Sequence, residues 1–351
     1  MLRALDLFSG IGGITYGLRG IVTPVAYVEK NKDAREFLQK KHPDVPVFDD
    51  VCAFDATEWK GKVDIITGGW PCTGFSIAGK GAGFEHEASG LFSEVVRITN
   101  ECEPRYLFLE NSHILSKKTN VSVVVNALDK LGYDCKWLTC RATNVGAPHQ
   151  RHRWFCLVIK RGASVITDLP LVDTFNWSSG EPDKQIKNYT PINRTVSSWL
   201  GNAVVPDQVR YAFTTLNTMS TEIATYQHDI NKFQNCGFSL KSEIYWSRIK
   251  IQERPPLYIT LTQENPPNKH KATTPHIKTI TKKFWSTPVF SHNPSGVNFL
   301  TYRSSKLLGT QVKFAEGGFA GMYVNPDWVR WLMGYPEDYF TLAYKDHETQ
   351  S

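Results

Sequence analysis

Five short apolar runs separated by helical stretches constrain this chain more than any other feature of its sequence. Residues 3–8 read as a strand running into Ser9-Gly-Ile-Gly-Gly13, and residues 13–19 then take helical spacing. Four further runs, Val25–Val28, Val63–Ile66, Tyr106–Leu109 and Phe155–Ile159, alternate with amphipathic stretches near 32–40, 91–101 and 120–131. Apolar strands whose successors arrive through helices need cover on both faces, so the pattern predicts a doubly wound α/β sheet. Past about residue 165 the texture turns to Pro, Asn, Ser and Thr. One helical island is expected from Thr195 to about Asn217, with short strand candidates at 257–262 and 297–302. A length of 351 residues, 41% of them hydrophobic, is enough for two lobes.

Charge is distributed unevenly. The formal net charge is +6, yet residues 265–315 hold eight Lys and Arg residues and no Asp or Glu. That segment is a candidate polyanion surface, because each cation placed on a phosphate releases condensed counterions. The seven cysteines include no Cys-x-x-Cys pair and no Cys/His grouping at zinc-like spacing, so free thiols and no metal are expected. Nowhere do eighteen apolar residues follow one another, and the expectation is a soluble intracellular protein, cytoplasmic or nucleoid-associated, neither secreted nor membrane-bound.

The turn Asp6-Leu-Phe-Ser-Gly-Ile-Gly-Gly13 offers backbone N–H groups at a helix start, where small residues permit close approach of a ligand. Glu29 follows the next strand about 20 residues beyond the glycines, where an acid accepts hydrogen bonds from ribose hydroxyls. Thr15 stands where the last glycine of the dinucleotide fingerprint belongs, which disfavours a nicotinamide or flavin cofactor. Cys72, in Gly68-Gly-Trp-Pro-Cys-Thr-Gly-Phe-Ser76, lies just past a strand at the ligand-binding edge of such a sheet. Cysteine statistics by themselves favour a buried, inert thiol. The flanking Pro71 and glycines instead favour an exposed loop that presents it. Glu110 ends a second strand at the same edge, and Arg151 and Arg153, two residues apart, precede a third.

Together these residues resemble the C5-cytosine DNA methyltransferases, through separated motifs spanning nearly the whole chain. Asp6–Gly13 is similar to the family's first motif, which implies that Phe8, Gly10 and Gly12 flank S-adenosylmethionine, with Glu29 on its ribose and Asp50-Val51 at its adenine. Pro71-Cys72 with Phe75-Ser76 resembles the nucleophile loop, Ser89-Gly-Leu-Phe92 the cofactor-side helix start that brings in Leu91, and Leu109-Glu-Asn111 the Glu-Asn motif. Gln150-Arg-His-Arg153 resembles the Gln-x-Arg-x-Arg segment. With the arginines aligned, His149 takes the glutamine position, so Arg151 and Arg153 carry over and the amide does not. Leu200-Gly-Asn-Ala-Val-Val-Pro206 resembles the motif closing the cofactor pocket, bringing in Asn202, and residues 324–336 the motif supporting target recognition. The order of these last two is reversed relative to most members and is similar to that of virus or phage-type members. It predicts a continuous catalytic lobe, residues 1–215, and a second, smaller target-recognition domain, residues 216–351.

The resemblance implies a Rossmann-like methyltransferase sheet acting on double-stranded DNA as a monomer, without a metal, and compatible with a cognate restriction endonuclease. In the implied reaction a cytosine is flipped out of the duplex at a short site, guessed at two to four base pairs. The Cys72 thiolate adds to C6, Glu110 binds or protonates N3, and Arg153 with Arg151 nearby holds O2, while Pro71 joins the cofactor-binding residues. The methyl group passes from S-adenosylmethionine, leaving S-adenosylhomocysteine. The rivals are a tRNA cytosine methyltransferase, whose usual Cys-Phe-Thr tripeptide none of the cysteines here begins, an inactive DNA-binding module, and a thiol hydrolase using Cys72 and His149. Trp285, Trp328 and Trp331 are expected in a core or domain joint rather than as base-stacking platforms.

Overall fold

The computed structural model describes residues 1–71, 91–219 and 322–348, together with strands Phe233–Leu240, Glu243–Lys250, Ile259–Gln263 and Lys278–Lys282. Cys72, the Ser89-Gly90 pair and most of the acid-free basic segment, including Trp285, fall outside those residues, as does the strand candidate at 297–302.

Seven strands of the first lobe form the sheet that positions everything else: β1 (Leu2–Leu7), β2 (Val22–Val28), β3 (Val47–Phe48), β4 (Ile65–Gly68), β5 (Tyr106–Ser112), β6 (Tyr133–Arg141) and β7 (His152–Lys160). Their spatial order is β6-β7-β5-β4-β1-β2-β3. The strands from β5 to β3 run parallel, whereas β7 is antiparallel to both β5 and β6. This is a doubly wound, Rossmann-like sheet. Chain order reverses at β1, between β2 on one side and β4 on the other, and open sheets of this kind bind ligands outside the carboxyl ends at such a switch point.

Helices cover both faces. α1 (Gly13–Gly17) leaves β1, α2 (Lys32–Lys41) leaves β2, and α3 (Phe92–Cys102) and α4 (Lys118–Asp129) bracket β5. Asn31 caps α2 by accepting from the Ala34 N–H at 2.9 Å. The helical island is two helices, α5 (Pro191–Asn202) and α6 (Pro206–Thr218). Pro206 has no N–H to continue α5, and Ala203 is extended, so the chain breaks at Ala203-Val-Val205. Val121, Val124, Val125 and Leu128 of α4 pack with Leu107, Leu109 and Val158 on one face. Val209, Phe213 and Leu216 of α6 pack with Ala4, Phe108 and Phe155 on the other. A Cβ on Gly13 would lie 2.5 Å from the Tyr335 hydroxyl and 2.8 Å from a Val204 methyl, so this turn must be glycine for its neighbours to close on it.

The division expected at about residue 215 needs correction. After β8 (Gln185–Ile186) and the strands β9 (Phe233–Leu240), β10 (Glu243–Lys250), β11 (Ile259–Gln263) and β12 (Lys278–Lys282), the chain returns as β13 (Tyr323–Val324), α7 (Pro326–Leu332) and α8 (Thr341–Glu348). β13 pairs with β8. Trp328, Trp331, Leu332, Tyr335, Tyr339 and Phe340 share a core with Ile11, Phe37, Val196 and Leu200. The hydroxyls of Tyr335 and Tyr339 donate to the Val204 and Ile11 carbonyls at 2.9 and 2.8 Å, and Trp177 Nε1 donates to the Trp331 carbonyl at 3.0 Å. Residues 322–348 therefore belong to the first lobe, because two tryptophans and three further rings need an apolar surface that lobe supplies. β9 pairs with β6 and carries β10 with it, so these two strands extend the same sheet to nine. Trp328 and Trp331 are core residues, as anticipated. Trp328→Ala is expected to cost about 3–5 kcal/mol in chemical denaturation. A loss below 1 kcal/mol would show that the returning segment is not part of this core.

Candidate active site

A cavity of about 750 Å³ opens at the carboxyl ends of β1, β2, β4 and β5. Phe8, Gly10, Glu29, Asp50, Val51, Pro71, Leu91 and Asn202 line it, as do Glu110, Arg151 and Arg153. Of the residues singled out in the sequence, Gly12 does not line it and Cys72 is outside the described residues. Gly12 lies beneath the cavity as the left-handed N-cap of α1, with φ 75°. Phe8 also takes a left-handed conformation, φ 55°, which costs a β-carbon residue about 1–2 kcal/mol and turns the chain sharply off β1. Glu29 holds that turn: one carboxylate oxygen accepts from the Gly10 N–H and the other from the Asn31 N–H, each at 2.7 Å.

The second half of the cavity carries the polar groups. Glu110 and Arg153 form an ion pair, Nε to Oε1, at 2.9 Å, with side chains only 13% and 22% exposed. A Cβ on Gly69 would meet the other Glu110 oxygen at 2.7 Å, so glycine is what lets the chain leading to Pro71 pass over this carboxylate. Asn111 donates to the Trp70 carbonyl at 3.2 Å and fixes the same chain from beneath. The two arginines part company. Arg151 is buried and donates to the Gly201 and Asn202 carbonyls at 3.3 and 3.4 Å, bracing the end of α5. Burial and Arg153 push its guanidinium down to about 9.

Residues 2–284 match the family described as C-5 cytosine-specific DNA methylase. The chain belongs to that family. It is 43% identical to a type II methyltransferase, M.CviJI, of Paramecium bursaria Chlorella virus IL3A, over 96% of this chain and 97% of that one. It is also 30% identical to the type II methyltransferase M.HhaI of Haemophilus parahaemolyticus, over 47% of this chain and 51% of that one. A third relative, the type II methyltransferase M.NgoBI of Neisseria gonorrhoeae, is 34% identical over 44% and 49%. The chain is thus a cytosine-5 DNA methyltransferase by family.

Two residues of this methyltransferase, Asp6 and Gln208, had no site role in the sequence, and a third, His149, was met there only at the glutamine position and in the hydrolase rival. Asp6 lines the cavity although it sits inside an apolar strand, and that placement at the head of the Asp6–Gly13 motif was its signal. Its Oδ1 accepts from the Thr67 hydroxyl at 2.6 Å, while Oδ2 is buried without a partner among the described residues. Burial pushes the carboxyl up to about 8, opposed by the Thr67 hydrogen bond and helped by Glu29. Gln208 on α6 donates to the Cys140 and Arg151 carbonyls at 2.8 and 2.9 Å, tying the ends of β6 and β7 together. His149 is fully buried, its Nδ1 accepting from the Arg151 N–H at 3.3 Å, and burial with Arg151 pushes it down to about 3. It therefore works as a neutral brace behind the arginine.

Because Asp6 holds its proton in the folded chain far above the pH at which it ionises when unfolded, the unfolded state binds fewer protons between about pH 4 and 8. Stability falls as pH rises through that window. Asp6→Asn, which keeps the shape and removes the ionisation, is expected to raise the melting temperature of the ligand-free protein more at about pH 8 than at about pH 5. Equal shifts at the two pH values, read by scanning calorimetry, would remove the buried carboxyl as their cause.

Proposed function

We propose that this chain methylates C5 of a cytosine flipped out of duplex DNA, at a short specific site, through a covalent bond from Cys72 to C6. The observation that carries this reading is one cavity lined both by the glycine turn with Glu29 and by Pro71 with the Glu110–Arg153 pair. A nucleoside half and an acid–base half therefore share a single space.

The cofactor half fits S-adenosylmethionine. A Cβ added to Gly10 would meet nothing within 4 Å, so the turn leaves open room above a backbone N–H that Glu29 already orients. Asp6 supplies an unpartnered buried carboxyl oxygen able to hydrogen-bond a polar group of the ligand, and a cavity of this size suits a nucleoside-sized ligand. Glu29 would hold the ribose, Asp50 and Val51 the adenine, and Phe8, Leu91 and Asn202 the remainder. When bound, S-adenosylmethionine supplies the methyl group as an activated sulfonium.

The residues of the chain do the rest. C5 of cytosine is a poor nucleophile until electron density is pushed onto it, and attack of the Cys72 thiolate on C6 provides that density. Glu110, having taken up a proton from solvent as the base docks, protonates or hydrogen-bonds N3 as charge develops there, and Arg153 holds both Glu110 and the O2 of the base. Arg151 acts one layer back, keeping the Gly201-Asn202 turn against the cavity. A base then takes the C5 proton, the C6–S bond breaks to release the Cys72 thiolate, and N3 returns its proton to Glu110. Extruding the base costs a few kcal/mol, and the basic segment 265–315 is the source of the backbone contacts that offset it.

Transfer of a labelled methyl group to duplex DNA and not to tRNA, with bisulfite sequencing giving base and context, is the expected result. Mass spectrometry after incubation with DNA carrying 5-fluorocytosine should reveal a trapped adduct. Methylation of tRNA alone would overturn the choice of substrate, and absence of an adduct would overturn the covalent step.

A further inference from the structure

The face of the β5-β7-β6 edge that Arg151 and Arg153 do not occupy carries a second row, one guanidinium and two imidazoles. Successive residues of a strand point to opposite faces, so His152 lies on the reverse side from the two arginines. Arg141 is directly opposite His152 across the β6–β7 pair and shares its face. On the other flank, Ser112 is opposite Arg153, and His113 follows it at the start of the turn His113–Ser116. The rings of His113 and His152 stack, with centroids 4.6 Å apart and planes 13° from parallel. Arg141 and His113 are exposed and His152 is half-buried, so the row reaches solvent on three adjacent strands beside the Glu110–Arg153 pair.

The groups that face the two imidazoles are cationic. Arg141 from β6 and Arg153 from β7 act on both rings, and His113 acts on His152. No carboxylate among the described residues acts on either ring. Glu110 is turned to the Nε of Arg153, whose Nη1 donates to the His152 carbonyl at 2.9 Å. Burial first, and then these like charges, push His113 down and His152 down to about 3. Both rings are therefore neutral near pH 7 in the free protein. An anion seated on the row offsets these like charges, though not the burial, and shifts both rings toward protonation.

We infer that Arg141, His152 and His113 form a phosphodiester-binding row, which grips the backbone of the DNA strand carrying the target cytosine. The assignment rests on the reading that the substrate is duplex DNA. Phosphate oxygens accept from the Arg141 guanidinium and from imidazole N–H groups, and one imidazole takes up a proton as the strand docks. Binding at this row is consequently linked to pH in a way that lysine contacts are not.

The test uses the full chain and a short labelled duplex containing the site mapped by bisulfite sequencing. The unaltered protein is expected to bind it about fivefold more tightly at about pH 6 than at about pH 8. His113→Gln and His152→Gln should each flatten that dependence. Arg141→Gln should lower the slope of log affinity against log salt by about 0.9, the share of one phosphate. Melting temperature and S-adenosylmethionine binding check that each variant is folded. Should the half-buried His152 variant fail that check, the exposed His113 and Arg141 variants decide. Variants that keep the unaltered protein's pH dependence and salt slope overturn the row, as do variants that lose tRNA binding while duplex binding stays intact. Methyl transfer by the unaltered protein to the same duplex separates the two failures. Turnover with unaffected variants sinks the row alone, whereas no turnover sinks the proposed function.

Discussion

Cys72→Ala is expected to lower methyl transfer to duplex DNA by about ten-thousand-fold or more, while S-adenosylmethionine and DNA binding stay within a few-fold of the unaltered protein. The asymmetry follows from which groups each step uses. The turn at Phe8–Gly10, Glu29 and the brace from Arg151 to the Gly201 and Asn202 carbonyls are built without the thiol. The Asn111 contact to Trp70 and the open Gly69 position hold the chain as far as Pro71 whatever follows it. On the proposed mechanism, what disappears is the thiol that makes C5 electron-rich; Cys52, a second thiol on the cavity wall, follows Asp50-Val51 on the cofactor side and is held by its N–H to the Asp50 carboxylate at 2.9 Å. A neutral imidazole such as His149, buried behind Arg151, does not line the cavity. Cys72→Ser should be nearly as inactive, because a hydroxyl is far less acidic than a thiol. Single-turnover transfer of a labelled methyl group, run beside binding titrations, reads both halves. Retained turnover in either variant would remove the covalent mechanism.

Much of the lobe was legible because its strands are apolar runs bounded by glycine or acid. β1, β2, β4, β5 and β7 all appear where the pattern placed them, within the few residues by which strand ends drift. β6 was not legible. Tyr133–Arg141 mixes Asp134, Lys136 and Thr139 into a strand that is nonetheless buried, and Lys136 escapes only by reaching the Met219 carbonyl at 2.8 Å. A strand whose polar groups are satisfied by distant backbone leaves no period in the sequence. The same holds for the returning segment. Its motif was recognised in residues 324–336, but chain order and charge argued for a separate domain. Only tertiary packing, such as Tyr339 reaching Ile11 across more than three hundred residues, reveals where it belongs. For the site, residue types spoke clearly and their layering did not. Spacing put Arg151 and Arg153 on one face, and only the structure distinguishes the one that meets Glu110 from the one that braces α5.

Glu110→Gln isolates the proton from the shape. The amide is isosteric with the carboxylate, which matters where the Gly69 backbone passes so close that a bulkier side chain would push the Pro71 chain outward. The amide oxygen can still accept from the Arg153 Nε that now lies 2.9 Å from Oε1, so Arg153 keeps its place. An amide cannot, however, hand a proton to N3. The expected result is a fall in kcat of about 10²–10⁴-fold with DNA affinity changed only a few-fold. A further sign should appear in the 5-fluorocytosine experiment, since without protonation at N3 the attack on C6 itself slows and the trapped adduct accumulates correspondingly more slowly. If instead kcat and binding fall together and the rate of adduct formation is unchanged, Glu110 acts as a structural partner of Arg153. The proton for N3 would then have to come from elsewhere.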